Sequence, residues 1–460
     1  MPTLFKRRQK PQGRHTPNLW PVWLVAPATL IVVGALAYGL YQGADSLLTA
    51  ENTGKKPVDV QDVIKTTVTV LTLVGAVLAG LYAYRKQLLA EGESHRADAG
   101  QLAERYTTAA EQLGHEQAAV RLAGVYAMAR LADDWVEQRQ VCIDVLCAYL
   151  RMPYETDTAE DGFKQGEREV RLTIIRTIRD HLLDPTSPTT WCGLDLDFTG
   201  ATFDGGDFYG AKFSGGTVNF YRASFTGDTV NFSTADFTGS LVNFGRAEFS
   251  GGAVNFSATK FSGPVAHFTK AKFSGAIVNF GGADFSGGSV YFTRARVSGG
   301  RVTFDAANFS GATVNFNSTR FLDGAVSFDG AQFSDATVSF GTAAFAGSRV
   351  TFDRAVFSGA IVNFGAAYFS DGNVYFNWSD FACGEINFSM AQFLDGMVSF
   401  EAVKFSGSTV NFSRAVFLGA TVTYDGAEVT GGTVIFDGAQ NNSPATIRWG
   451  PFPPLPASQP

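Results

Sequence analysis

Residues 223–237 read Ala223-Ser224-Phe225-Thr226-Gly227-Asp228-Thr229-Val230-Asn231-Phe232-Ser233-Thr234-Ala235-Asp236-Phe237, and their spacing decides the fold. Ala223 to Gly227 is a five-residue unit in which Ala and Phe, two positions apart, fall on the same side of a short extended run. Asp228-Thr229 is an extra pair. Val230 to Thr234 is a second five-residue unit, and Ala235 opens the next. The repeat is therefore 12 residues: two units of five with a two-residue insertion at one corner. From Phe213 to Val429 a Phe, or rarely Val, returns at this period through 19 cycles, and 35 of the 38 main aromatic positions are Phe. Upstream, from Leu196 to Gly215, the units of five follow one another without insertion.

A unit this short cannot bury its own apolar side and must lean on its neighbours, which is the signature of a stacked solenoid. Small Ala or Val beside bulky Phe lets inward side chains interdigitate from layer to layer. The Ser or Thr and Gly that follow each Phe supply corners, where Gly tolerates backbone angles that other residues resist. Four short faces make a square coil, which sets the coil at 24 residues with insertions at opposite corners. Residues 216–443 then hold 9.5 coils beyond the first, 20-residue coil. At ~4.8 Å per layer the stack is about 50 Å tall.

These units, clearest over Leu196 to Gly215 and continuing to Ala439 with the insertion as a departure, resemble the pentapeptide-repeat family. The resemblance implies a right-handed quadrilateral parallel β-helix over 194–443. The wider layout is similar to membrane-anchored pentapeptide-repeat proteins of Actinobacteria, a type with no established activity. Some soluble members of the family resemble B-form DNA and bind type II topoisomerases, so the resemblance also admits a DNA-mimic role. After Ala439 the ladder lacks its next Phe, since Asn441 stands there. A Pro-rich tail at 444–460, with Ile447, Trp449, Phe452 and Leu455, either caps the open edge or stays unfolded.

Two apolar spans lie near the N-terminus, Trp20 to Tyr41 and Thr66 to Tyr84, and neither contains a charge. Each approaches the ~20 residues needed to cross a bilayer core. Trp20, Trp23, Tyr38, Tyr41, Tyr82 and Tyr84 sit at the span ends, where amphipathic rings favour the interface. Lys6, Arg7, Arg8, Lys10 and Arg14 fill a basic tail at 1–19, and Arg85-Lys86 follows the second span. The positive-inside rule then puts both termini in the cytoplasm of a multi-pass protein of the cell membrane, with a loop at about 42–65 outside. A signal peptide cleaved near Ala35-Leu36-Ala37 is the alternative, and the second span would still leave the remainder inside. Ala76 and Gly80 permit close packing of two such helices, which leaves a homodimer open.

Residues 85–190 read as a small helical bundle: His115 to Asp134, Gln138 to Met152, then Gly166 to Leu183 with Val170, Ile174, Ile178 and Leu182 at steps of four. The bundle is expected to pack on the solenoid and cover its first coil. Cys142 and Cys147 stand five residues apart on one helix and diverge by about 140°, which excludes a shared zinc without a further segment. With Cys192 and Cys383 they have no framework spacing, as expected of a reducing compartment.

The sequence offers no catalytic, cofactor or metal set. His267 is the one His in the solenoid, and it replaces an Asn of an outward polar ladder. The corners never lengthen enough to build a cleft. Net charge is −7 with 17% charged residues, which argues against nucleic acid as a partner. The expectation is a non-enzymatic, membrane-tethered scaffold that offers a rigid rod to a cytoplasmic protein. The DNA-mimic alternative needs a negative surface along the rod. Residues 193–440 do carry 21 acidic and 14 basic side chains. Yet Lys260, Lys270, Lys272, Arg294, Arg296 and Arg301 form a basic stretch near one end, the expected docking patch, with Asp284 as the one acid among them.

Overall fold

The computed structural model describes residues 60–453 apart from 263–264 and 443–444, with scattered helical positions between 27 and 43. The expected basic tail, most of the first span and the greater part of the expected outside loop lie outside the described residues. The chain divides into two units, Met1–Glu104 and Arg105–Pro460.

In the first unit, the described positions from 27 to 39 are helical and exposed. Helix α1, Val60–Leu113, is 54 residues long and continues into the second unit. It starts within the stretch expected as a loop and runs without interruption past Tyr84. No Pro falls between Val60 and Leu113, and Ala, Leu, Glu, Gln, Arg and Lys make up most of the stretch after Arg85, so the helix continues through Gly92 and Gly100. Val68–Gln87 within it has mean hydropathy 1.6 and, among the described residues, no buried side chain, making it long and apolar enough to cross a membrane.

In the second unit, α2 (Ala118–Asp134), a 3₁₀ turn (Val136–Gln138), α3 (Arg139–Arg151) and α4 (Glu167–His181) form the helical region. Val125, Met128 and Leu131 of α2 pack with Ile143, Leu146 and Leu150 of α3 and with Val170, Ile174 and Ile178 of α4, all of them buried. A Cβ on Gly124 would stand 2.7 Å from the backbone nitrogen of Leu113, so only Gly lets α2 come this close to the end of α1. A buried polar cluster ties the helices together. Glu167 faces Arg121 at 3.3 Å and accepts the Tyr149 hydroxyl at 2.9 Å. Arg171 donates to the carbonyls of Leu150 and Thr202.

The helical region covers the first coil, as expected. Gly206 has φ +146° and lies under Ile175 of α4, whose Cδ1 would be 3.0 Å from an added Cβ. Arg168 reaches Asp204 and Asp228, and Arg151 reaches Asp197. Trp191 is buried with its ring stacked on His181 at 4.1 Å.

The rest is a parallel β-solenoid with four faces per coil. Face 1 carries Leu196, Val218 and Val242 in successive layers. Face 2 carries Phe203, Phe225 and Phe249, and face 3 carries Gly206, Val230 and Val254. Face 4 is a thinner ladder through Lys212, Asp236 and Lys260, which becomes regular strand from Gln332 to Val356 onward. Faces 1 to 3 have eleven rungs and end at Val434, Asn441 and Ile447, while face 4 has ten and ends at Glu428. The register step is 22 residues from Leu196 to Val218 and from Phe203 to Phe225, not the expected 20, because the first coil lacks one of the two insertions rather than both. It is 24 thereafter, as in Val218 to Val242. The last step of face 3, Val422 to Ile447, is 25.

Four columns of Phe fill the interior, one per face. Within a column the rings lie nearly parallel, as for Phe304, Phe328 and Phe352 at 4.7 Å per step. Across the coil they meet edge to face, as for Phe316 and Phe328 at 5.8 Å and 89°. Both arrangements suit the ring quadrupole. Outside, Asn side chains form a parallel ladder, with Asn243 Nδ2 donating to Asn219 Oδ1 at 3.1 Å. The expectation that Gly makes the corners holds only in part. The corners without insertion turn on the second residue after the Phe, which has positive φ whether or not it is Gly, as at Arg222, Thr234 and Ala258. The tail caps the far end over its described residues. Thr446–Arg448 adds a rung to face 3, Trp449 meets Phe436 at 5.4 Å, and Phe452 meets Tyr424 at 5.2 Å.

Candidate functional site

A charged side chain on this scaffold has its neighbours one coil away rather than in sequence, so the 24-residue step sorts the expected basic patch. Lys270 and Arg294 occupy the corner between faces 1 and 2, where the same position in the two preceding coils holds Arg246 and Arg222. All four have φ between 57° and 61°. Left-handed backbone costs roughly 1–2 kcal/mol per L-residue, yet here it throws each side chain outward from a convex edge. Lys272 and Arg296 are rung partners on face 2, and the next rung adds Arg320. These seven cations make one ridge over five consecutive coils.

Two expected members fall elsewhere. Lys260 is on face 4, its backbone bridged to Asp236 and Asp284 in the adjacent layers, so it stands between two acids and away from the other cations. Arg301 is on face 3, beside Ala325, at a shallow recess shared with Asp305, Asp329 and Arg349. Reading by sequence neighbourhood included these two and missed Arg222, Arg246 and Arg320. The signal that finds them is a count at 24: residues 222, 246, 270 and 294 share one corner.

The ridge is nearly free of acid. Lys272 Nζ lies 3.6 Å from Glu248 Oε2, its neighbour in the preceding rung. Arg222 and Arg246 lie over the Tyr221 ring, at 5.4 and 6.0 Å from its centroid. Among the described residues Arg294, Arg296 and Arg320 have no ion-pair partner. They line an open depression of about 490 Å³ with Ser318, Thr342 and Tyr368. The Ser318 and Thr342 hydroxyls are 3.0 Å apart, one coil separating them. Like charges one layer apart repel by roughly 1 kcal/mol per pair even at the dielectric of water, so the ridge favours a bound anion.

The acids of the later coils are organised differently. Asp305, Asp329 and Asp353 stack at the corner between faces 3 and 4, and each carboxylate accepts the backbone N–H one coil on, at 3.3, 3.1 and 3.0 Å. Asn377 continues the column to Glu401. Burial, then the neighbouring Asp329, pushes the Asp353 carboxyl above its ordinary range. These side chains serve the stack. His267 is exposed on the outward face 1 ladder, between Asn243 and Tyr291, with its ring 5.3 Å from Tyr291. Partial burial lowers its pKa. Cys142 and Cys147 are buried in the helical region, and burial pushes their thiols up to about 11 and about 12. Among the described residues no group of three or more His, Cys, Asp or Glu is placed to hold a metal ion.

Compared with family models, curated proteins and solved structures, the chain matches none. Its own geometry defines the class: a parallel β-solenoid of Phe-rich units, consistent with a pentapeptide-repeat fold.

Proposed function

We propose that the chain is a non-enzymatic scaffold of the membrane-anchored pentapeptide-repeat type, tethered by its N-terminal helices and presenting the solenoid to a cytoplasmic protein. The observation that carries the reading is the closed interior. Four columns, Phe in nearly every layer and nearly all at 0–2% exposure, fill the interior, so chemical variety is confined to the outward positions of flat ladders. A fixed core with variable faces is how solenoids build recognition surfaces. The tether rests on Val68–Gln87, apolar and unburied, with Arg85 and Lys86 at its end. A DNA mimic needs an unbroken negative field, and the basic ridge interrupts it over five coils.

The test compares the full chain with a form lacking Trp20 to Tyr84, by alkaline carbonate extraction of membranes and by in-cell crosslinking. The scaffold reading expects the full chain to stay with the membrane, the shortened form to be released, and both to crosslink to the same protein. Extraction of the full chain by carbonate would remove the tether. Capture of a type II topoisomerase, with inhibition of its activity, would replace the scaffold by the mimic.

A further inference from the structure

We infer that the ridge is a binding site for phosphate-bearing anions, with one phosphate group held in the depression between Arg294, Arg296 and Arg320. Three observations converge there. The three guanidinium groups come from two adjacent coils and, among the described residues, have no ion-pair partner. A guanidinium presents its donors in a planar fork that matches phosphate oxygens. Ser318 and Thr342 lie on the depression's corner side with their hydroxyls hydrogen-bonded to each other, which leaves one O–H of the pair to donate to the same anion. The rest of the ridge extends the site. Lys270, Arg246 and Arg222 continue the corner column at one cation per layer, and Lys272 continues face 2. A phosphate array, such as a row of lipid headgroups, would engage several layers together, whereas a free phosphate would engage the depression alone.

The contrast within the same column is informative. Arg414 occupies the equivalent corner position with φ 58°, but its column neighbours are Met390 and Gly438, and face 2 beside it carries Gln392, Val416 and Gln440. It has the same backbone and the same side chain without the neighbouring cations. The site thus depends on the cluster and not on the corner. Nothing in this inference rests on the tether, because the ridge and the depression lie wholly within the solenoid.

Phenylglyoxal modification of the purified full chain, read residue by residue by mass spectrometry, tests it. Protection by a bound ligand slows modification by 1 + [L]/Kd, so phosphate at about nine times its Kd slows it about tenfold. Inorganic phosphate is expected to protect Arg294, Arg296 and Arg320 while Arg414 reacts at its original rate, and chloride at matched ionic strength protects none. A second arm adds nanodiscs of phosphatidylcholine, with or without one third phosphatidylglycerol. Protection by the phosphatidylglycerol discs that extends to Arg222 and Arg246 assigns the site to a lipid surface, even where free phosphate is too weak to register. Protection by phosphate alone assigns it to a soluble phosphate-bearing ligand. In the R296Q/R320Q variant, with its circular dichroism unchanged, protection of Arg294 should vanish. Absence of protection in both arms, equal protection of Arg414, equal protection by chloride, or protection of Arg294 that survives in the double variant would each overturn the inference.

Discussion

Phe328→Ala is the sharpest perturbation of the solenoid. Phe328 is fully buried, stacks on Phe304 and Phe352 at 4.7 Å each, and meets Phe316 and Phe340 edge-on at 5.8 and 6.1 Å. Truncating a buried Phe to Ala costs about 3–5 kcal/mol in lost transfer energy and cavity. Aromatic pairs add about 0.5–1.5 kcal/mol each, and part of that is already counted in the truncation. The worked expectation is about 4–6 kcal/mol. A solenoid couples each layer mainly to its neighbours, so the loss should be local. Hydrogen exchange of the purified chain reads this directly, through amides such as Phe304 to Ser327 and Phe328 to Thr351 that bridge the affected layers. Their protection should fall about a thousandfold or more, since each 1.4 kcal/mol is a factor of ten. The layers of Phe208 to Phe256 should keep theirs. Thr313→Ala, an exposed change on face 1 of the same coil, should stay within about 0.5 kcal/mol. A loss below about 1 kcal/mol at Phe328, or one spread evenly over the whole stack, would refute the layered core.

Three further outcomes follow from particular core and cap positions. Val297 interrupts the Phe column of face 2, leaving a small apolar gap beside Phe273, Phe304 and Phe321, so Val297→Phe should stabilise its layers by roughly 1 kcal/mol in chemical denaturation. Tyr424 extends the column of Phe376 and Phe400, and its buried hydroxyl has no hydrogen-bond partner among the described residues; Tyr424→Phe should therefore gain about 1 kcal/mol, measured the same way. With Trp449 and Phe452 both changed to Ala, the last coil loses its lid, and concentration-dependent aggregation by light scattering should appear where the parent chain stays dispersed.

Cysteine reactivity offers a check on the fold as a whole. Cys383 is exposed at a corner, while Cys142 and Cys147 are buried with thiol pKa values raised to about 11 and about 12. At neutral pH iodoacetamide should label Cys383 and leave the buried pair until denaturant is added, because the thiolate is the reactive form. Fast labelling of Cys147 in the native chain would contradict the helical packing.

The sequence alone determined the coil. A Phe at every twelfth position, a small residue two before it and Gly-bearing corners leave a square, 24-residue layer as the arrangement that buries four rings together, and Val170, Ile174 and Ile178 equally announce the helix above it. These are properties of short stretches, where covalent spacing dictates which side chains share a side. The tertiary structure decided what lies next to what. Lys260 and Lys270 are ten residues apart and sit on different sides of the coil, whereas Arg222 and Arg294 are 72 apart and share one edge. The phase of each corner, the left-handed turns at non-Gly residues and the Phe452 lid all arise from stacking. The physical reason is that lateral neighbours in a solenoid are set by axial register, which exists only once the coils have closed and piled upon one another.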